Sequence, residues 1–398
     1  MRLVLGAGCA GLSLACALLD AGVDEQLVLV DRRTDFEHDR TWCFWQTHAG
    51  LPFAELATSS WPTWRLIGRD GRAAQHTSAA HPYLHLPADR FYAAALERLE
   101  AAPNVTLRLG ERVLDIAADA AGVQVRTAGG VLEGDVAYDA MGGAGPLSRG
   151  RPDGSIELRQ RFVGLEVETE RAVFDPGVAT LMDFRGTGSP EPRFMYVLPF
   201  SQTRALVEDT SLGGRAVPAA ERREAIAAYL EDTWAAGAFT VLREERGTLP
   251  MTTHAFPATR GPRLVAVGAA AGALRPSSGY AFVRTQLHVR AVAHAAATGA
   301  PAPATLGRAR HRLLDALFLR ARAADPEAFS GHLLALARGV DAGTFARFMT
   351  DASSLRDEAA VVGAMTRPGF LRAMASRPAR AAVREPAREP LAGTVART

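Results

Sequence analysis

Two stretches of this chain hold residue types whose spacing could do chemistry. The first is the glycine triplet Gly6, Gly8 and Gly11, which follows the apolar run RLVL and opens the apolar helical pattern LSLACALLDAG. A pyrophosphate needs that arrangement: one glycine permits a tight turn, another lets backbone N–H groups come close, and the third lets helix and strand pack. Asp31 ends the next apolar run, LVLVD, about twenty residues on, where a carboxylate can accept hydrogen bonds from a ribose. Strand, glycine loop, helix and acid together predict a dinucleotide site. The second stretch is RALVEDTSL, with adjacent carboxylates Glu208 and Asp209. On a strand, neighbouring side chains face opposite ways, so only one of the two can line a given cavity and the other is solvated or structural. An acid held neutral in an apolar cavity is a proton donor, whereas the plainer reading of the same pair is a solvated strand end.

Other residue types narrow the chemistry. All 45 Lys+Arg residues are Arg, which removes P-loop phosphate binding and any lysine Schiff base. A net charge of +2 offers no broad basic field for nucleic acid. Cys9 and Cys16 share a predicted helix face as small core residues, and with Cys43 they lack paired C-x-x-C spacing. His76, His81 and His85 are spaced for a loop and strand, so no metal site is expected. The composition, 48% hydrophobic and 22% charged, is that of a globular protein. Few cysteines and a strand starting at Arg2 point to a cytoplasmic protein without a leader. No run reaches eighteen apolar residues, so membrane contact is expected to be peripheral.

Several elements must position these residues. The expected fold class is α/β: a Rossmann-type cofactor domain, an antiparallel-sheet substrate domain and a helical C-terminal region. Residues 1–150 form the first part of the cofactor domain, closed by a glycine- and proline-rich boundary at 141–154. Residues 151–258 supply the antiparallel sheet, whose strand candidates are LRQRFVGLEVE, ATLMDFR, RFMYVLPF and RALVEDTSL. The strand and glycine loop RLVAVGAAAG return the chain to the cofactor domain over 259–300. Residues 301–398 are helical, with a tail from about 375 that lacks periodicity and is expected to be disordered.

Segments spread along the chain resemble the flavin-dependent lycopene cyclases of bacteria and plants. They are DRTWCFW at 39–45, LRQRFVGLEVE at 158–168, LMDFR at 181–185, FMYVLPFSQTRALVEDTSL at 194–212, GTLPMT at 247–252 and RPSSGYAFVRTQ at 275–286. The resemblance implies a fold related to flavin hydroxylases and bound FAD that acts reduced, with NAD(P)H as electron source. It implies proton-initiated, redox-neutral closure of a β-ring on lycopene or a related carotene, with Glu208 as the essential carboxylate. VAYDAMGG and RLVAVGAAAG look like further flavin-contact segments, which puts Asp139 and Gly268 beside the cofactor, though Ala269 stands where flavoproteins usually have Asp. Gly279 and Tyr280 would lie by the flavin, and Arg40 would border its ring system. Phe194 and Tyr196 alternate on one strand face, as core residues or as shields for a cation. Two other readings compete: a flavin hydroxylase or isoprenoid reductase of the same fold, and a non-catalytic protein that holds a prenyl chain or lipid.

Overall fold

The computed structural model describes residues 1–142, 157–186, 192–213, 216–303, 307–365 and 371. Aliphatic runs too short for a helix pair into a five-stranded parallel sheet. Its order is Leu264–Ala266, Val136–Asp139, Arg2–Leu5, Leu27–Asp31 and Val105–Leu109. Helix Cys9–Asp20 buries its Leu12, Leu14, Ala15 and Leu18 on one face of this sheet, with helices Ala88–Glu100 and Phe282–Thr298 packed beside it. A three-stranded sheet, Val113–Ala118, Val123–Thr127 and Gly130–Gly134, covers the other face. Each fully buried Leu or Val here stabilises the layer by about 1.5–3 kcal/mol. Strands from both ends of the cofactor segment thus meet in one sheet.

The second sheet has seven strands in the order Phe239–Thr252, Glu157–Thr169, Arg204–Leu212, Arg193–Pro199, Val178–Asp183, Thr63–Ile67 and Ala73–Thr77. Its pairs are antiparallel except Val178–Asp183 with Thr63–Ile67, which run parallel. Two features depart from the sequence reading. The hairpin Thr63–Thr77 lies within residues 1–150 yet completes the substrate-side sheet. The segment REERGTLPMT belongs to a 14-residue edge strand, although its charged residues interrupt any apolar alternation.

Alternation along this sheet gives two faces. Val163, Leu165, Val167 and Val207 pack on Ile226, Tyr229 and Leu230 of helix Ala219–Trp234. The opposite face carries Phe162, Phe194, Tyr196 and Glu208 toward a cavity, closed over by helices Ala309–Ala324, Phe329–Gly339, Ala342–Met349 and Leu355–Met365. A small sheet of Thr41–Trp45, Tyr83–Pro87 and Ser59–Trp61 brings the aromatic segment to the same cavity. No helix of the described residues is long and apolar enough to cross a membrane. The proposed boundary beyond residue 142 and the tail from about 375 lie outside the described residues.

Candidate active site

The glycine loop has the geometry a pyrophosphate requires. Gly6 adopts φ +103°, and a Cβ on Gly11 would sit 1.7 Å from the Gly6 carbonyl oxygen. Only glycine lets the helix start so close to the strand end. A Cβ on Gly8 would meet nothing within 4 Å, so that position opens into the cavity. Helix Cys9–Asp20 begins there with no side-chain cap and no acidic residue in its first turn. Its N–H groups and positive dipole end are therefore free to receive an anion. Asp31 lines the cavity while accepting from Ala7 N at 2.6 Å and Arg33 N at 2.8 Å, which braces the loop.

The structure separates the remaining cofactor candidates into wall and rim. Arg40 stands at the cavity with its guanidinium half exposed, donating to the Asp39 carbonyl at 2.6 Å. Gly279, at φ +75°, and Tyr280 line the cavity; a Cβ on Gly279 would come within 3.1 Å of Leu249. Asp139 does not reach the cavity: it is fully buried, accepts from Met141 N at 3.1 Å and lies 3.4 Å from Arg260. Burial pushes its pKa up, and the wall in front of it is Ala140, Met141 and Gly142. Gly268 also stays behind the wall, because a Cβ there would sit 2.3 Å from the Ala10 side chain. Its role is packing, and Ala269 to Gly272 face the cavity instead.

The cavity measures about 1810 Å³ and runs from Gly8 past Thr41, Cys43 and Gly279 to Leu314, Phe318 and Phe345. A pocket for a single small ligand is roughly 300–1,000 Å³. There is room for a dinucleotide at the glycine end and an elongated apolar molecule at the helical end. The uncapped helix start, the open Gly8 and the nearby Arg33 and Arg112 fit the former.

Where the two ends meet, four strands place one residue each in a row: Tyr196, Glu208, Gly164 and Glu245. Glu208 and Glu245 are both buried and both line the cavity. Burial, then the adjacent Glu245 carboxylate, holds the Glu208 carboxyl well above the ordinary range, so it is neutral and donates a hydrogen bond to Glu245. Burial works the same way on Glu245, but the Glu208 hydrogen bond and Arg243 outweigh it and keep Glu245 ionised. Arg243 Nη1 is 2.5 Å from Glu245 Oε2, and Thr41 Oγ1 donates to the same oxygen at 2.8 Å. Hydroxyl groups of Tyr196, Tyr83 and Tyr280 form a chain beside this pair, at 2.9 and 2.8 Å.

Asp209, the second carboxylate candidate for catalysis, is the member of the pair that does not line the cavity. It points to the other sheet face, fully buried, with Arg193 Nε at 2.7 Å and Arg222 Nη1 at 3.3 Å. Its role is structural, as strand alternation requires. Sequence reading missed Glu245, Arg243, Gly164 and Tyr83. The one available signal was GLEVE beside VLREERG, two segments with acids that strand pairing could bring together. The histidines disperse: His76 packs on Trp64 and Phe345, and His81 Nδ1 is 3.0 Å from the Gln46 carbonyl.

Comparison with known proteins follows the same lines. A family model described as lycopene cyclase protein matches residues 3–375. A carotenoid cyclase described as uncharacterized, from Deinococcus radiodurans, is 30% identical over 74% of this chain and 70% of its own length. A lycopene beta-cyclase of Paracoccus sp. is 37% identical, over 31% of this chain and 32% of that protein, so the match spans about a third of its length. Among solved structures, a geranylgeranyl bacteriochlorophyll reductase-like protein of Thermoplasma acidophilum aligns with TM-score 0.61 and 14% identity, over 93% of this chain and 97% of that one. The p-nitrophenol 4-monooxygenase PnpA of Pseudomonas putida aligns with TM-score 0.61 and 16% identity, over 94% and 98%. At such identities the likeness is one of fold.

Proposed function

Because this chain belongs to the lycopene cyclase family, we propose that it closes a β-ring on an end of lycopene or a related linear carotene, beside reduced FAD and without net oxidation. The observation that carries this reading is a buried carboxyl, Glu208, set beside the Arg243-bound carboxyl of Glu245 in a cavity that is aromatic at its centre and continuous with a dinucleotide cradle. Glu208 is the proton donor. Protonation of a terminal isoprene double bond leaves a tertiary cation, the next double bond attacks it, and loss of a ring proton gives the product. Tyr196, Phe194 and the Tyr83–Tyr280 pair exclude water from that cation, and their ring faces attract positive charge. Gly6, Gly8 and Gly11 would hold the pyrophosphate of FAD, Asp31 its ribose, and Arg40, Gly279 and Tyr280 would border its ring system. FAD held there and reduced, with NAD(P)H as electron source, would supply an electron-rich surface that favours positive charge.

A C40 hydrocarbon reaches this cavity only from a lipid phase. Val362 and Leu371 line the helical end and are also 43% and 45% exposed, with Leu355 nearby in sequence at 71%. These aliphatic groups support peripheral attachment at the cytoplasmic membrane face. The test is expression in lycopene-accumulating cells with pigments resolved by chromatography. Appearance of cyclic carotenes is expected. Unchanged lycopene, or NAD(P)H oxidised one-to-one with a hydroxylated or saturated product, would overturn the reading in favour of a hydroxylase or reductase.

A further inference from the structure

The carboxyl groups of Glu208 and Glu245 belong to strands that are not neighbours. Strand Glu157–Thr169 runs between them, and Gly164 is the residue paired with both. A Cβ on Gly164 would lie 2.8 Å from Glu208 Cγ and 3.2 Å from Glu245 Cγ. The missing side chain is therefore what allows the two acids to lean together across an intervening strand. On the far side Glu245 is locked. Arg243 Nη1 and the Thr41 hydroxyl both donate to its Oε2, and Arg243 is itself held by Glu166 at 3.1 Å. Among the described residues no cation or hydroxyl is hydrogen-bonded to Glu208 in the same way; its other neighbours in the row are Gly164 and the Tyr196 strand. Two acids in contact cannot both ionise easily, and the partner with the cation loses its proton first.

We infer that Glu245 is a positioning residue for the ring closure proposed above: fixed by Arg243 and Thr41, it accepts the Glu208 hydrogen bond through the gap at Gly164 and keeps the transferable proton on Glu208. This rests on the assignment of Glu208 as proton donor. In each turnover the Glu208 O–H bond breaks as a C–H bond forms at the terminal alkene carbon. The electron pair of the next alkene makes the ring carbon–carbon bond. The proton then lost from the ring returns to the vacated Glu208 carboxylate, so substrate and product are isomers and nothing is oxidised.

The groups facing Glu208 fix the expected pH behaviour. Glu245 and Arg243 lie on the edge strand, with Glu166 behind Arg243; Tyr196, Cys43, Tyr83 and Tyr280 face it from the other elements, and His38 and His85 stand beyond Glu245. Those tyrosines and Cys43 are all held above their ordinary values, chiefly by burial, and stay neutral near neutrality. The test measures ring closure of lycopene in liposomes, with chemically reduced flavin, across pH. In the wild type, activity falls as pH rises through the Glu208 titration. Glu245→Gln removes the negative neighbour and leaves Arg243 to favour the Glu208 carboxylate, so the falling limb should move down by a unit or more, with activity recovering at acid pH. Adding Arg243→Gln removes the cation as well and should move the limb back up, which a purely structural role does not predict.

An unshifted limb in flavin-loaded Glu245→Gln overturns the inference. If that variant does not fold, Gly164→Ala separates the pair and must also move the limb down; an unchanged limb there overturns it equally. Glu208→Gln separates the two assignments, since inactivity at every pH upholds Glu208 as donor whatever Glu245 does, and retained ring closure leaves the functional reading standing but refutes Glu208 as donor and with it this inference.

Discussion

Adjacent residues in one strand are given opposite fates by the alternation of the pleat. Glu208→Gln keeps volume and hydrogen bonding but has no proton to give, so ring closure should drop by about 10²–10⁴ while flavin content is kept. Asp209→Asn should act on stability instead. It takes a charge from between Arg193 and Arg222, and breaking a buried pair in this way costs about 3–5 kcal/mol. Urea unfolding and cyclisation assays on both variants check the contrast, and equal loss of activity at unchanged stability would contradict it. The sequence reading foresaw that the pair must divide, because period two is geometric. Which carboxylate faced inward came only from resemblance, since both faces of the sheet are covered and neither reads as solvent-exposed. Glu245 was out of reach for a different reason: its partner is reached across a third strand, and a buried acid made tolerable by Arg243 looks, in one dimension, like any charged edge.

At the scale of elements, the glycine loop, the first βαβ unit and the helical C-terminal stretch were legible because each is written in local pattern. The hairpin Thr63–Thr77 and the edge strand Phe239–Thr252 were not, because their membership of a sheet depends on partners far away in the chain. Another nonlocal feature ties the helices to the loop that carries Gly279 and Tyr280. Arg275, fully buried at the start of that loop, bonds Asp315 at 3.1 Å, while Asp351 takes Arg284 at 3.1 Å and His311 at 3.2 Å. Burial opposes ionisation of Asp351, but the His311 hydrogen bond and the charges of Arg275 and Arg284 prevail and bring its pKa down to about 2. A folded-state value below the unfolded value of about 3.9 means this stabilisation is present above that value and lost as pH falls toward 2. Acid titration followed by near-ultraviolet circular dichroism should show the wild type losing stability between about pH 4 and 2. Asp351→Asn should lack that increment. Asn tolerates the local φ of +60°, so the backbone need not change.

For the whole molecule, one cavity joins a polar cradle to an apolar end bordered by exposed aliphatic side chains. Purified protein should float with lipid vesicles, and replacing Leu355 and Val362 together by Ser should weaken that binding several-fold while leaving flavin content intact. Full activity on carotene in soluble carriers with no vesicle binding would contradict the membrane assignment. The parallel pairing of Thr63–Ile67 with Val178–Asp183 has a consequence of another kind. It cannot form until the cofactor half and much of the sheet have been synthesised and brought together, and such distant closures are entropically slow. The cofactor sheet needs a closure of like length, Val136–Asp139 with Leu264–Ala266, so cradle and reaction chamber should both be completed late. During refolding, flavin capture and turnover should therefore return together, on the timescale set by joining the first third of the chain to segments more than a hundred residues away.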